Sequence, residues 1–226
     1  MKFLRQVVAV FLKDLRAEIR NKEAINASLA FAVVILLLFS FAFDPTAEQT
    51  REISGGLLWL VFAFAGALIL NRSFARELTN DCLDALVASP VPGAALFLGK
   101  ALANYLLLLA VEAICLPVFG IFYNMRWTAQ VGLLTAILLL GTWGITVIGT
   151  MFSALTVNLR LRELMLPMLC YPIMIPCLLP AIQLSTVVIA GQPLGPEMQQ
   201  GFRLLVGFDV IFTALALVLV DTVLVG

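Results

Sequence analysis

Six stretches of this chain are each close to the length that crosses about 30 Å of hydrocarbon as an α-helix. They run roughly 24–43, 55–70, 96–122, 129–156, 164–189 and 208–225. Hydrophobic residues make up 62% of the 226 positions, against roughly 45–50% in an average soluble domain. A soluble domain of this size could not hide so much apolar surface, so lipid is the remaining solvent. In lipid each backbone polar group must be satisfied within its own segment, and a helix does this where an open strand does not. The expected fold class is therefore an all-α integral membrane protein with six transmembrane helices. Residues 1–226 read as one membrane domain without internal repeat or low-complexity region. The first apolar run is too long for a signal-peptide core and is followed by no small-x-small cleavage site, so it reads as a retained anchor.

Basic residues orient the spans. The N-terminal stretch carries Lys2, Arg5, Lys13, Arg16, Arg20 and Lys22; the 71–100 segment carries Arg72, Arg76 and Lys100; the 157–163 loop carries Arg160 and Arg162. The opposite connections hold only Arg51, Arg126 and Arg203, an eleven-to-three division. Both termini are thus expected in the cytosol. Ahead of the first span, Phe3, Leu4, Val7, Val8, Phe11, Leu12, Leu15 and Ile19 follow helical periodicity, with most charges on the other side. Residues 1–23 read as a basic amphipathic helix lying in the inner interface, or else as a cytosolic helix packed on a partner.

The fifth segment is interrupted by Pro167, Pro172, Pro176 and Pro180. Each removes a backbone donor, which a membrane helix tolerates where neighbours or a cavity serve the freed carbonyls. After it, Gly191, Pro193, Gly195 and Pro196 mark a turn, and short helices dipping into the outer leaflet fit residues 181–207.

Little in the chain supports chemistry. There is no histidine, which removes the commonest general base and metal ligand. Cys82, Cys115, Cys170 and Cys177 form no CxxC pair, and three of them lie in apolar runs, where a thiol acts as a small hydrophobe. The run Gly93 to Ala101 imitates a phosphate-binding loop. It has five residues rather than four between its glycines, and Ala101 stands where a magnesium-binding hydroxyl is needed. No catalytic, cofactor or metal site is expected, and Lys100 reads as an interfacial anchor.

Three groups of residues remain. In Asn71 to Pro92, Phe74, Leu78, Cys82, Ala85 and Leu86 fall on one face of a helix, with Arg72, Arg76, Glu77, Asn80, Asp81 and Asp84 as its polar remainder. Such a helix can rest on the membrane, dock its stripe into a partner, or serve as a solvated connector. Glu112 reads as the acidic residue deep inside a span, where charge costs at least ~2.5–3.5 kcal/mol. Asn104 and Tyr105 lie on its stripe, and the carboxyl is either functional or a structural hydrogen-bonding group. Asp209 and Asp221 are expected near span ends. In the fourth span Thr135, Thr142, Thr146, Gly149, Ser153 and Thr156 form a small or hydroxylated stripe, read as helix packing or, alternatively, as a polar translocation wall.

The chain resembles the haem exporter protein B family, CcmB, whose members are membrane subunits of the cytochrome c maturation ABC complex. The resemblance is most specific in Gly55-Gly56-Leu57-Leu58-Trp59 and in the run from Asn71 to Leu86. It continues through Ser89-Pro90-Val91-Pro92, Lys100-Ala101, Leu166-Pro167 and Ile173-Met174-Ile175-Pro176. Cys82 stands where the family pattern leads one to expect glycine. The resemblance implies an ABC-2-type permease in a bacterial inner membrane with no ATPase activity of its own. Its implied partners are an ABC ATPase subunit, a second copy of the chain, a haem-handling membrane protein, a small single-span subunit and a haem chaperone. No nucleic acid is involved. Haem and ATP would be handled by those partners rather than bound here. It also implies that 71–92 is a coupling helix, with Arg72, Phe74, Arg76, Glu77, Leu78, Asp81, Cys82, Asp84 and Leu86 meeting the ATPase. Two other readings stay open: the permease of another ABC-2 exporter of lipid, glycan or drug, and a proton-coupled carrier using Glu112. The latter is disfavoured by the lack of repeat halves.

Overall fold

The computed structural model describes residues 2–44, 47–75, 77, 91–123, 130–156, 162–192 and 195–225, without the side chains of 162–166, 197 and 224–225. Among the described residues the chain is all-helical. Its helices are α1 (Lys2–Asn21), α2 (Glu23–Ala42), the short α3 (Glu48–Glu52), α4 (Ser54–Asn71), α5 (Gly93–Phe122), α6 (Val131–Thr156), α7 (Arg162–Ile189) and α8 (Pro196–Val225). Six of them are long and apolar enough to span a membrane: Glu23–Ala42, Ser54–Asn71, Gly93–Phe122, Val131–Thr156, Pro167–Ile189 and Met198–Val223.

Helices α4 and α6 are the most deeply buried of the spans and occupy the centre. Around them α2, α5, α7 and α8 close the bundle, and α1 lies along α5. Glycines set the closest approaches. A side chain at Gly55 would run into the Thr186 hydroxyl and the Ile182 carbonyl of α7, and one at Gly149 would run into Leu70 of α4. Without hydrophobic drive between helices in lipid, contacts of this kind hold the bundle together.

The ends of the helices explain the path of the chain. Lys22 sits in the left-handed region, φ 55°, at the sharp turn from α1 into α2, at a cost of roughly 1–2 kcal/mol for a residue with a Cβ. Buried Glu18 offsets it: its Oε1 accepts the Ala24 and Ile25 N–H groups at 2.9 and 3.1 Å, two of the unpaired donors at a helix start. Gly191, φ 68°, ends α7. Its N–H donates to Val188 O and the Gln192 N–H to Val187 O, the paired bonds of a glycine C-terminal stop. Helix α8 then begins at Pro196, the position where a missing N–H costs nothing.

Two expectations are corrected here. The sixth span was expected to start near 208, after a loop with dipping helices; instead α7 continues to Ile189 and α8 starts at Pro196. Asp209 therefore lies well inside the span rather than near its end, 7% exposed, with neither carboxyl oxygen hydrogen-bonded. Thr135 is exposed and its hydroxyl donates back to Val131 O within α6, so it takes no part in packing. Thr142, Thr146, Gly149, Ser153 and Thr156 are buried.

Candidate coupling site

Lys100 is the best-enclosed cation among the described residues, 1% exposed on α5. Its Nζ donates to Asp14 Oδ2 of α1 at 3.0 Å, Glu77 Oε1 at 2.8 Å and the Ser73 carbonyl at 2.8 Å. It also stands 4.8 Å above the centre of the Phe74 ring, in reach of the ring's negative face. Lys13 completes the cluster, reaching Glu77 Oε1 at 2.6 Å and Asp14 Oδ1 at 3.1 Å. Two cations and two anions thus join α1, the segment leaving α4, and α5. One turn along α5, the Asn104 amide donates to Ser73 Oγ at 2.8 Å and to Thr150 Oγ1 of α6 at 3.0 Å. Arg72 makes a more exposed pair with Glu23 at the start of α2, 2.6 Å.

Packing makes the cluster possible. Gly99 lets α1 settle on α5, for a Cβ there would lie 2.6 Å from Val10 Cβ and 2.9 Å from the Val7 carbonyl. Phe74 is fully enclosed by Val10, Leu96, Ala154 and Val223. Burial by itself would raise the Glu77 carboxyl, but Lys100 and Lys13 hold it below its ordinary 4.5. Burial by itself would lower the Lys13 ammonium, but the Glu77 hydrogen bond and the charges of Asp14 and Glu77 hold it above its ordinary 10.5. The Glu77 contribution is present above pH 4.5 and lost as pH falls through its lowered value. That of Lys13 is present below pH 10.5 and lost as pH rises through its raised value. The Lys13–Glu77 pair is therefore intact across the neutral range.

This geometry corrects three expectations. Phe74, expected on the docking stripe, and Glu77, expected in its polar remainder, both face into the chain, 0% and 6% exposed. Helical spacing defines a face but not the side on which it is covered, and Phe74 is covered by α1, α5, α6 and α8. Lys100 is not an interfacial anchor, because its charge is met inside the protein. Arg76, Leu78, Asp81, Cys82, Asp84 and Leu86 lie outside the described residues. Sequence reading missed Asp14 and Ser73 as partners, since both are distant from Lys100 along the chain.

The intramembrane residues separate into different contacts. Glu112 is 1% exposed and accepts the Thr142 hydroxyl of the packing stripe at 2.6 Å, while its second oxygen has no partner. Asn104 belongs to the charged cluster instead. The Tyr105 hydroxyl donates to Leu139 O at 3.0 Å and its ring meets Trp143 edge-on. Changing Glu112→Gln keeps an acceptor for Thr142, so thermal stability in detergent is expected to stay near wild type. Glu112→Ala strands a buried hydroxyl and is expected to cost about 1–3 kcal/mol; equal melting of the Ala variant and wild type would show that the bond carries no stability.

The sequence matches the family model described as CcmB protein over residues 5–222. It is 34% identical over 171 residues to the Heme exporter protein B of Rhodobacter capsulatus, covering 76% of this chain and 78% of the relative. Identity to the Heme exporter protein B of Paracoccus denitrificans is 32% over the same shares, and to that of Pseudomonas aeruginosa 29% over 74% of each chain.

Proposed function

The chain belongs to the CcmB protein family, and on that premise we propose that it is the permease-like membrane subunit of an ABC transporter complex for cytochrome c biogenesis. A separate ATPase subunit hydrolyses ATP, and this chain couples that hydrolysis to haem delivery or to release of a haem-loaded periplasmic chaperone. Its setting is the bacterial inner membrane with both termini cytosolic, as the division of basic residues supports. The assembly holds a second copy of the chain, a haem-handling membrane protein and a small single-span subunit.

The observation that carries the reading is the family match over residues 5–222, and the Lys100 cluster supports its coupling part. Of the residues expected to meet the ATPase, Leu78, Asp81, Cys82, Asp84 and Leu86 follow Glu77 in sequence, and Glu77 is tied by charge to both α1 and α5. A force applied beyond Glu77 would pull on Lys100 and thus on a 30-residue helix, and through Lys13 and Asp14 on α1. Glu18 then fixes α1 to the start of α2. Phe74 and Glu77 act in this scheme as anchors of the coupling segment rather than as its contact surface.

Purification in mild detergent tests the assignment. An ABC ATPase subunit should co-purify, and the chain freed of it should hydrolyse no ATP. Robust hydrolysis by the chain alone, or purification with no ATPase under conditions that preserve the other subunits, would defeat the reading.

A further inference from the structure

Two carboxyls sit in the middle of the bundle with more oxygens than there are donors to serve them. Glu112 of α5 accepts the Thr142 hydroxyl on one oxygen, and its other oxygen is buried without a partner. Asp209 of α8 is buried with no partner on either oxygen. Both acids lie at one depth. Thr142 and Gly144 straddle the midpoint of α6, and a Cβ on Gly144 would lie 3.0 Å from Asp209 Oδ1 and 2.6 Å from Cys177 Sγ. Positions two apart point about 200° apart around a helix, so the two acids reach the centre of α6 from opposite sides.

The chain supplies no positive charge at that depth. Residues 24–42, 54–71, 101–122, 131–156, 167–189 and 204–225 contain no Lys, Arg or His. Lys100 lies about 18 Å from Glu112 along α5 and is itself met by Asp14 and Glu77. Among the described residues, the ionisable side chains near Asp209 are Cys177 of α7 and Tyr105 of α5, and those near Glu112 are Cys115 and Tyr105. None of them is a cation, and α6 presents only Thr142 and Gly144. The Tyr105 hydroxyl already serves Leu139 O, and the Cys177 thiol serves Gly141 O. No group of three Asp, Glu, Cys or His among the described residues could hold a metal ion. A carboxylate buried without a counter-charge is costly, and the group avoids that cost by taking a proton. Intramembrane carboxyls placed in this way mark proton sites. We propose that Glu112 and Asp209 form a proton-binding site at the middle of the membrane, each holding one proton as a neutral carboxylic acid. Exclusion of water keeps Asp209 in that form, so it gives up its proton when water reaches the contact of α6 with α8. The site is built from this chain alone and holds whichever assembly the chain serves.

Infrared spectroscopy of the purified assembly in lipid tests the site at about pH 7, where an exposed carboxyl is ionised. The carbonyl stretch of a protonated acid is separate from the bands of a carboxylate. Carboxyls elsewhere in the assembly contribute equally to every spectrum and cancel in the differences between wild type and variant. Glu112→Gln should remove one acid band and Asp209→Asn another. Both bands should move to lower frequency after transfer to D2O, which distinguishes them from the ester carbonyls of lipid. Asp209→Glu should displace its band rather than abolish it, and it reads the same site if Asp209→Asn fails to accumulate. Loss of carboxylate absorption in place of an acid band, in either Glu112→Gln or Asp209→Asn, would overturn the proposal, because it would mean that a partner brings a positive charge to the site. Acid bands unchanged in these variants would overturn it as well.

Discussion

Lys100→Met is expected to destabilise the chain by about 3–5 kcal/mol, the usual consequence of removing one partner from a buried ion pair. Lys100 serves four groups at once: two carboxylates, a carbonyl and the face of Phe74. Without it Glu77, 6% exposed, keeps only Lys13 among the described residues, and the Ser73 carbonyl loses its charged donor. Helix α1 also loses the bond that ties Asp14 to α5. Lower accumulation in membranes and earlier thermal unfolding in detergent should report this. The companion changes Lys13→Met, Glu77→Gln and Asp14→Asn should restore most of the loss, because a buried cluster replaced as a whole leaves no unpaired charge. The four effects should be strongly non-additive, as expected of residues in one network. Simple addition would mean that the observed pairs carry no common energy.

Trp59→Ala is expected to cost about 3–5 kcal/mol. The indole is 1% exposed at the junction of α4, α6 and α7. Its N–H donates to Ser185 Oγ of α7 at 2.9 Å, its ring stands edge-on to Phe62, and its far edge fills the place where Gly141 of α6 lacks a side chain. In lipid the loss falls on packing and on the hydrogen bond, since surrounding acyl chains are as apolar as the cavity. Gly141→Ala pushes a methyl group into the fixed ring and should cost about 1–3 kcal/mol. Pairing Gly141→Ala with Trp59→Leu, which vacates that space, should destabilise less than the two single changes summed. Thermal unfolding of the four proteins measures the coupling, and additive shifts would show that the two residues do not share one site.

The spans were legible because hydropathy and length suffice to find them, and the bounds expected for the first five agree with the helices to within a few residues. The sixth was mislaid because Pro196 to Arg203 is polar at its start and follows a Gly- and Pro-rich turn, so a helix entering the membrane looked like a loop. That error hid Asp209, which moved from a supposed interface to the interior. Glu112 and Thr142 were each singled out, yet their pairing depends on which faces of α5 and α6 meet. Lys100 was misread for a physical reason: a lysine near the start of a span ordinarily reaches for the interface. Here Asp14, 86 positions away, and Glu77, 23 positions away, meet it inside the protein. Glu18 was also missed, although an acidic residue shortly before a helix start is a recognisable signal.

The central claim is that charge pairing around Lys100 carries motion from the ATPase into the spans. It is tested most directly by the neutral variant that combines Lys100→Met, Lys13→Met, Glu77→Gln and Asp14→Asn, purified with the whole assembly. ATP hydrolysis and maturation of c-type cytochromes are measured on the same strain and preparation. The predicted result is an assembly of normal composition that still hydrolyses ATP while maturation falls at least tenfold. Maturation at the wild-type level in that variant would contradict the account.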